Sequence, residues 1–138
     1  MKKHVLAIIA LALVGLLVLS ACGGGGGSSG GATNVTVTLT EFKFDPATVS
    51  VPAGAKVNLT LINNGSAQHS WVVMKQGTKV NGTFTDADKA NIYFSQVVDA
   101  GKTVTATFTA PSTAGDYQIV CDLPGHLEAG MQGTLTVK

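Results

Sequence analysis

The chain has 138 residues, a length that allows one domain with its own hydrophobic core. It contains nine Lys and no Arg against eight Asp and Glu residues, for a formal net charge of +1 at pH 7. A nearly neutral chain without Arg lacks the basic surface that binds nucleic acid, and it exerts little long-range attraction on charged partners.

The first 21 residues are predicted to be an export signal. Lys2 and Lys3 precede an apolar run over residues 5–19, which is shorter than the about 20 residues of a membrane-spanning helix. The run ends in Leu-Ser-Ala-Cys at residues 19–22, which resembles a bacterial lipoprotein signal whose Cys becomes the lipidated first residue. We therefore expect lipidation at Cys22. An ordinary signal peptide that happens to contain a Cys is the alternative.

Residues 22–33 are predicted to be the lipidated Cys and a Gly/Ser-rich tether, with a reach of roughly 20 Å. Stable anchoring needs more than one acyl chain, which the multiple acylation of lipoproteins supplies. We expect an exported domain, residues 34–138, held on the extracytoplasmic (periplasmic or outer) face of the cell membrane. Loss of residues 1–21 leaves seven Lys and eight acidic residues, a net charge of −1.

The chain has two Cys residues, Cys22 and Cys121. If Cys22 carries a lipid, Cys121 is an unpaired thiol in an exported protein, which needs a separate explanation. A disulfide between the two is possible but leaves the lipoprotein signal unexplained. Metal ligation is the better interpretation of Cys121.

Apolar residues alternate with polar ones through most of the domain, and Gly, Pro and Asn mark turns between the alternating segments. Residues 76–91 lack this alternation and are predicted to be a long excursion with one short helix that begins near Thr85. Seven or eight short strands and almost no helix predict an all-β chain, an antiparallel β-sandwich. An immunoglobulin-like domain fits this pattern equally well. The predicted strands lie at residues 35–44, 48–51, 56–62, 69–74, 94–98, 103–109, 117–121 and 133–137.

Cys121, His126 and Met131 recur at five-residue intervals in a Gly- and Pro-containing loop between the last two predicted strands. His69, the other His of the predicted mature domain, begins a strand. Because loops at one end of a sandwich cluster together, these residues can meet. Each alone has an ordinary explanation, such as an exposed His, a core Met or a small buried Cys. Together they predict a metal site.

The ligand types favour copper over zinc. Structural zinc sites usually take four strong ligands from paired motifs such as CxxC, and the chain has none. Two imidazoles, one thiolate and one weak thioether are the set of trigonal blue-copper sites, which cycle between Cu(II) and Cu(I). One type 1 copper is therefore the predicted cofactor.

At these residues the chain resembles the cupredoxins (type 1 blue copper proteins) over nearly all of residues 34–138. The shared motifs are Phe-x-Pro at 44–46, Gly-x-Tyr-x-Ile-x-Cys at 115–121 and Pro-Gly-His at 124–126. The spacing Cys-x4-His-x4-Met at 121–131 is most similar to that of auracyanins, the membrane-associated copper proteins of anoxygenic photosynthetic bacteria. Plastocyanins have a shorter Cys-to-His gap, and azurins a shorter His-to-Met gap. The resemblance implies a cupredoxin-type Greek-key β-sandwich.

The resemblance also implies a role for each ligand: an equatorial set of His69, Cys121 and His126, an axial Met131 and, opposite it, the possible approach of the Gln68 carbonyl. Ser70 stands where relatives often carry an Asn that ties the two ligand loops together, and its shorter side chain puts that tether in question. The backbone N–H groups of Ser70 and Leu123 are candidate donors to the Cys121 sulfur.

The predicted function is that of a membrane-tethered, monomeric one-electron carrier rather than an enzyme. The resemblance implies a quinol-oxidising membrane complex as donor, and a c-type cytochrome or terminal oxidase as acceptor. A small apolar patch around His126 is predicted to dock partners, and it consists of Pro124, Gly125, Leu127 and Ala129. An extracytoplasmic copper chaperone or storage protein is the alternative. A copper enzyme needs more His residues than the mature chain has, and a Cys–His hydrolase needs a third, orienting group.

Overall fold

The computed structural model describes residues 31–138, so the predicted signal, Cys22 and nearly all of the tether lie outside the described residues. No helix in this part of the chain is long and apolar enough to cross a membrane. One short 3₁₀ helix spans Asp88–Asn91. The strands are β1 (Thr33–Thr40), β2 (Lys43–Asp45), β3 (Thr48–Val51), β4 (Lys56–Asn63), β5 (His69–Met74), β6 (Ile92–Val98), β7 (Thr103–Thr109), β8 (Gly115–Val120) and β9 (Gln132–Val137).

These strands form two sheets, with the orders β2-β1-β4-β7 and β3-β9-β8-β5-β6. The predicted all-β sandwich with one short helix is confirmed. Two details of the prediction are wrong. There are nine strands in this region, because residues 41–42 turn the chain and split the predicted first strand into β1 and β2. The pairs β1–β4 and β3–β9 are parallel, and periodicity alone carries no information on strand direction.

The core between the sheets follows from the alternation in the sequence. In β4, the side chains of Val57, Leu59 and Leu61 are buried, while the positions between them are at least partly exposed. Trp71 extends this core, and its ring lies 6.2 Å from Phe94 and 6.1 Å from Phe108 between centroids. This packing fixes the position of β5, which carries Trp71 two residues after His69.

The excursion between β5 and β6 covers the outer face of the five-stranded sheet. Under it lies a second apolar cluster, formed by Val72, Met74, Val80, Val120 and Leu127. Gln118 fastens the excursion, because its side chain accepts from the N–H of Val80 at 2.7 Å and donates to the C=O of Val80 at 2.9 Å. All six residues of β5 are therefore buried, so the strand that starts at His69 is packed on both faces.

The short helix begins later than predicted. The Thr85 N–H and hydroxyl both donate to the Asp88 carboxylate, at 2.8 and 2.7 Å. The N-cap is Ala87, and no side chain caps the helix. Thr85 therefore shapes the turn before the helix rather than capping the helix itself.

Candidate metal centre

Two neighbouring strands bring His69 and Cys121 together. β5 and β8 are antiparallel partners, with Val72 opposite Val120. His69 is the first residue of β5, and Cys121 directly follows the end of β8. Because the strands run in opposite directions, the start of one lies beside the end of the other.

The loop between β8 and β9 folds back on itself and supplies the other two candidate ligands. The Cys121 N–H donates to the C=O of Met131 at 3.1 Å, and the Met131 N–H donates to the C=O of His126 at 2.9 Å. Gly125, before His126, has a φ of 82°, a left-handed conformation that a side chain disfavours. The five-residue spacing in the sequence thus becomes a compact loop that contains Cys121, His126 and Met131.

The donor atoms of the two imidazoles and the thiol converge. The Nδ1 atoms of His69 and His126 lie 3.1 Å apart, and the Cys121 Sγ lies 3.3 Å from Nδ1 of His126. One ligand atom from each residue lies within 4.8 Å of the others. His69, Cys121 and Met131 are fully buried, whereas His126 is partly exposed.

The close approach of these three donor atoms is better explained by a binding site for a soft metal ion than by hydrogen bonds among the side chains. The Nε2 of His69 is buried without a hydrogen-bond partner, so the ring is not held by a bond at its far nitrogen. Burial lowers the pKa of the His69 imidazole, His126 lowers it further, and Glu41 opposes the shift. The neutral imidazole is the form that binds a metal. Two nitrogens and one sulfur, with a buried thioether in the same loop, are the donors that type 1 copper takes.

Gln68, the fifth candidate, is exposed, and its side-chain amide donates to the Asp99 carboxylate at 2.6 Å. Because the side-chain amide is engaged with Asp99, only the backbone carbonyl of Gln68 is a candidate ligand. The role of that carbonyl stays a prediction.

The tether that Ser70 was expected to weaken is present. The Ser70 hydroxyl donates to the Asp122 carboxylate and accepts from the Asp122 N–H at 3.0 Å. The doubt about this tether was therefore wrong, because Asp122 supplies the length that Ser70 lacks. The Ser70 N–H lies 3.4 Å from the Cys121 Sγ, as predicted. Within residues 31–138, the groups at hydrogen-bond distance from that sulfur belong to Ser70 and His126, and the Leu123 N–H is not among them.

The apolar patch around His126 differs from the predicted one at Leu127. Leu127 is 5% exposed and packs under the excursion, so it is not part of the surface. Its place beside His126 is taken by Phe42, which is 47% exposed and whose ring meets the His126 imidazole edge-to-face with centroids 5.5 Å apart. Pro124, Gly125 and Ala129 are exposed as predicted.

Sequence reasoning missed the residues that hold the loop before His69. Asn63 donates from its side chain to the C=O of Ala67 at 2.8 Å and of Val98 at 3.0 Å, and accepts from the Gly65 N–H. Glu41 accepts from both the N–H and the hydroxyl of Ser66. The Asn-Asn-Gly-Ser run signalled only a turn, and nothing in the sequence pointed to Glu41.

The chain matches a family model described as copper-binding proteins of the plastocyanin/azurin family over residues 31–138. It is 32% identical over 110 residues to auracyanin-B of Chloroflexus aurantiacus, a match that covers 68% of this chain and 46% of that protein. It is 40% identical over 93 residues to rusticyanin of Acidithiobacillus ferrooxidans, with coverage of 66% and 50%. The chain thus spans about half the length of these curated relatives.

Solved structures of auracyanins are also similar to this chain. The crystal structure of dithionite-reduced auracyanin from the photosynthetic bacterium Roseiflexus castenholzii has a TM-score of 0.65 at 30% identity, covering 78% of this chain and 99% of that one. Auracyanin A of Chloroflexus aurantiacus, described as a blue copper protein, has a TM-score of 0.65 at 31% identity, with coverage of 78% and 100%. The nine-strand sandwich therefore has the cupredoxin fold that the motifs implied.

Proposed function

Because the chain belongs to the plastocyanin/azurin family of copper-binding proteins and is similar to auracyanins and rusticyanin, we propose that it carries single electrons between redox proteins and catalyses no reaction of its own. Copper is its cofactor. The observation that supports this role most is the convergence of one thiol and two imidazoles within 4.8 Å, at a centre with one partly exposed ligand.

We propose that His69, Cys121 and His126 would hold the copper and that Met131, buried in the same loop, would be its fourth and weak ligand. When bound, copper supplies a one-electron couple between Cu(II) and Cu(I). The residues keep their donor atoms in place in both states, because β5 is packed on both faces and the ligand loop is closed by its own hydrogen bonds. The Ser70 N–H donates to the thiolate sulfur, which favours the reduced state.

His126 is the proposed electron port. It is the partly exposed member of the three converging residues, and Phe42, Pro124 and Gly125 surround it with an exposed apolar surface. A small patch of this kind suits the brief contacts of redox complexes, which bury less than about 1,200 Å². An electron transferred here leaves through a ring in direct contact with the partner.

Acidic side chains near this patch favour a partner with a basic surface. Glu41 and Glu128 are exposed, and Asp122 adjoins Cys121. Hydrogen bonds from its own backbone and from Thr83 lower the pKa of Glu128, and the nearby His126 lowers it further, so this group is ionised at neutral pH. We propose a c-type cytochrome as the acceptor and a quinol-oxidising membrane complex as the donor. The acceptor is tested by measuring electron transfer to a basic c-type cytochrome, whose rate should fall modestly as salt is added, because these acidic groups act at short range on a domain of small net charge.

We propose further that lipidation at Cys22 anchors the domain at the extracytoplasmic membrane surface, and that the Gly/Ser tether lets it move between partners. The support is the lipoprotein-like run that ends at Cys22. Replacement of Cys22 by Ser should move the protein from the membrane fraction to the soluble fraction. Retention of the Cys22→Ser protein in membranes would contradict a lipid anchor.

A redox titration tests the electron-carrier role directly. The copper-loaded protein should take up one electron per molecule in a reversible wave, with its visible absorption lost on reduction and restored on oxidation. An irreversible wave, or release of the copper on reduction, would contradict the role. Rapid transfer of copper to a metal-free acceptor protein would instead favour a chaperone or store.

A further inference from the structure

The turn between β1 and β2 contacts both halves of the copper site, although it contributes no proposed ligand. Glu41 and Phe42 form this turn, and we refer to them as the 41–42 turn. Glu41 faces the loop that leads to His69, and Phe42 contacts the ring of His126.

Glu41 is fixed against the loop before His69. Its carboxylate accepts from the Ser66 N–H and, at 2.9 Å, from the Ser66 hydroxyl. These bonds, with those of its own backbone, lower the Glu41 pKa to about 2, so the group is a carboxylate across the physiological range. The loop is therefore tied to β1 at one side and, through Asn63, to the end of β4 at the other.

Gly65 packs between the Glu41 carboxylate and the His69 ring, so the position of the loop restrains that ring. A Cβ at Gly65 would lie 2.8 Å from the Glu41 Oε1, 2.9 Å from the His69 Nε2 and 3.1 Å from the Asn63 Oδ1. Real Cβ atoms essentially never make contacts as short as the first two, so a methyl group here would have to displace the Glu41 carboxylate and the His69 ring. Since Nε2 has no hydrogen-bond partner, the Nε2 side of the His69 ring is restrained by this packing alone.

Phe42 has an unusual backbone for its residue type. Its φ is 60°, the only positive φ of a non-Gly residue in the described part of the chain. The left-handed conformation costs a residue with a Cβ about 1–2 kcal/mol, and a bulky residue there is rare. Phe42 is 47% exposed, so burial in the core does not offset this cost. Its nearest aromatic contact is His126, at 5.5 Å and an interplanar angle of 88°.

The ring of His126 is restrained by fewer other contacts than the ring of His69. It lies in a loop rather than a strand, it is partly exposed, and positive-φ glycines occur at Gly125 and Gly130 on either side. The edge-to-face ring of Phe42 occupies space that the imidazole would need in order to rotate. Such aromatic pairs are worth more than their buried area alone.

We propose that the 41–42 turn is a clamp that positions both imidazole ligands: Glu41 holds His69 through the loop at Gly65 and Ser66, and Phe42 holds His126 by direct ring contact. Both are positioning residues and neither binds the metal. This inference rests on the ligand roles proposed above. It assigns the clamp to a segment that precedes the first ligand by almost thirty residues in the sequence.

The first test uses Phe42→Gly in the full-length, copper-loaded protein. Gly relieves the strained φ while it removes the ring, so the fold should be at least as stable as in the wild type. We expect the transfer of Cu(I) to a chelator to become about 2- to 10-fold faster, the range set by one aromatic pair. In the copper-free protein, the NMR signals of the His126 ring should broaden. Phe42→Tyr, which keeps the ring, should restore both readouts.

Tyr93→Ala is the matched control, because Tyr93 is another exposed aromatic residue, 41% accessible, at the far end of β6 from the site. Equal acceleration of Cu(I) transfer in Tyr93→Ala and Phe42→Gly would overturn the proposal, since general destabilisation would explain both. Unchanged transfer and unchanged His126 signals in Phe42→Gly would overturn it as well. Slower transfer to a redox partner alone would reassign Phe42 to docking.

Glu41 is tested separately through His69. Glu41→Ala should shift and broaden the His69 ring signals of the copper-free protein and leave those of His126 unchanged, and Glu41→Gln, which keeps an acceptor, should restore part of the effect. Equal signals in all three proteins would overturn the role of Glu41. A wild-type protein that binds no copper would overturn the proposed function itself. A blue wild-type protein with unaffected variants would overturn only the clamp.

Discussion

The Ser70 hydroxyl joins the two ligand-bearing segments by bonding to Asp122 twice. It accepts from the Asp122 N–H at 3.0 Å and donates to the Asp122 carboxylate, and the same oxygen lies 3.5 Å from the Cys121 Sγ. The residue after the first His ligand is thereby fixed to the residue after the Cys ligand. The position of the sulfur relative to His69 depends on this link.

Ser70→Ala should therefore weaken both the fold and the site. The variant leaves a partly buried Asp122 N–H without its partner, a loss of about 1 kcal/mol in the free energy of unfolding. The reduction potential should fall, because the Ser70–Asp122 link that holds the Cys121 sulfur against the Ser70 N–H donor is lost. Denaturant unfolding and a redox titration measure the two effects. A potential equal to that of the wild type would show that the link does not position the sulfur.

Met131→Leu should keep the fold and the visible colour but raise the reduction potential. Leu fills a similar volume in the buried site, and the loss of a weak thioether donor disfavours Cu(II). Absorption spectroscopy and a redox titration of the same sample measure both properties. An unchanged potential would mean that Met131 is core packing and not an axial ligand.

Glu41 should contribute to stability in a pH-dependent way. Its pKa is about 2 in the folded chain against an ordinary value of 4.5, so its contribution is full above pH 4.5 and is lost as the pH falls toward 2. The difference in stability between the wild type and Glu41→Gln, both copper-free, should therefore be constant at neutral pH and shrink through this window. A difference that grows on acidification would contradict the hydrogen bonds to Ser66.

Gln118→Ala should destabilise the fold without changing the copper site. The variant leaves the buried N–H and C=O of Val80 unpaired, at a cost of about 1–3 kcal/mol. Gln96→Ala is the control, because the Gln96 amide donates only to the neighbouring Val97 C=O at an exposed position. Thermal unfolding separates the two variants, and the copper spectrum of both should match the wild type. A changed spectrum in Gln118→Ala would show that the excursion also shapes the metal site.

The strands and the candidate ligands could be predicted because both appear in the sequence as local patterns of residue type and spacing. Alternation gave β4 and β7 almost to the residue, and the spacing of Cys121, His126 and Met131 placed them in one loop. Their meeting with His69 followed only from the clustering of loops in a sandwich. The direction of the β1–β4 and β3–β9 pairs is not a local property, so it was assigned wrongly.

The residues around the ligands were harder to predict because they act across the sandwich. The Ser70–Asp122 link depends on the alignment of β5 with β8. The contact of Phe42 with His126 depends on the turn at residues 41–42, which the alternating pattern of residues 35–44 did not reveal. Leu127 was assigned to the surface because nothing in the sequence shows that the excursion covers it. Local patterns thus identified the candidate donors, and tertiary packing determined what holds them.

The most direct test of the copper centre is the visible absorption spectrum of the Cu(II)-loaded protein beside that of Cys121→Ser. The wild type should be intensely blue or green from thiolate-to-copper charge transfer, and Cys121→Ser should lose that colour even if copper still binds to the two imidazoles. A colourless wild type, or equal colour in the two proteins, would contradict a type 1 copper site at His69, Cys121 and His126.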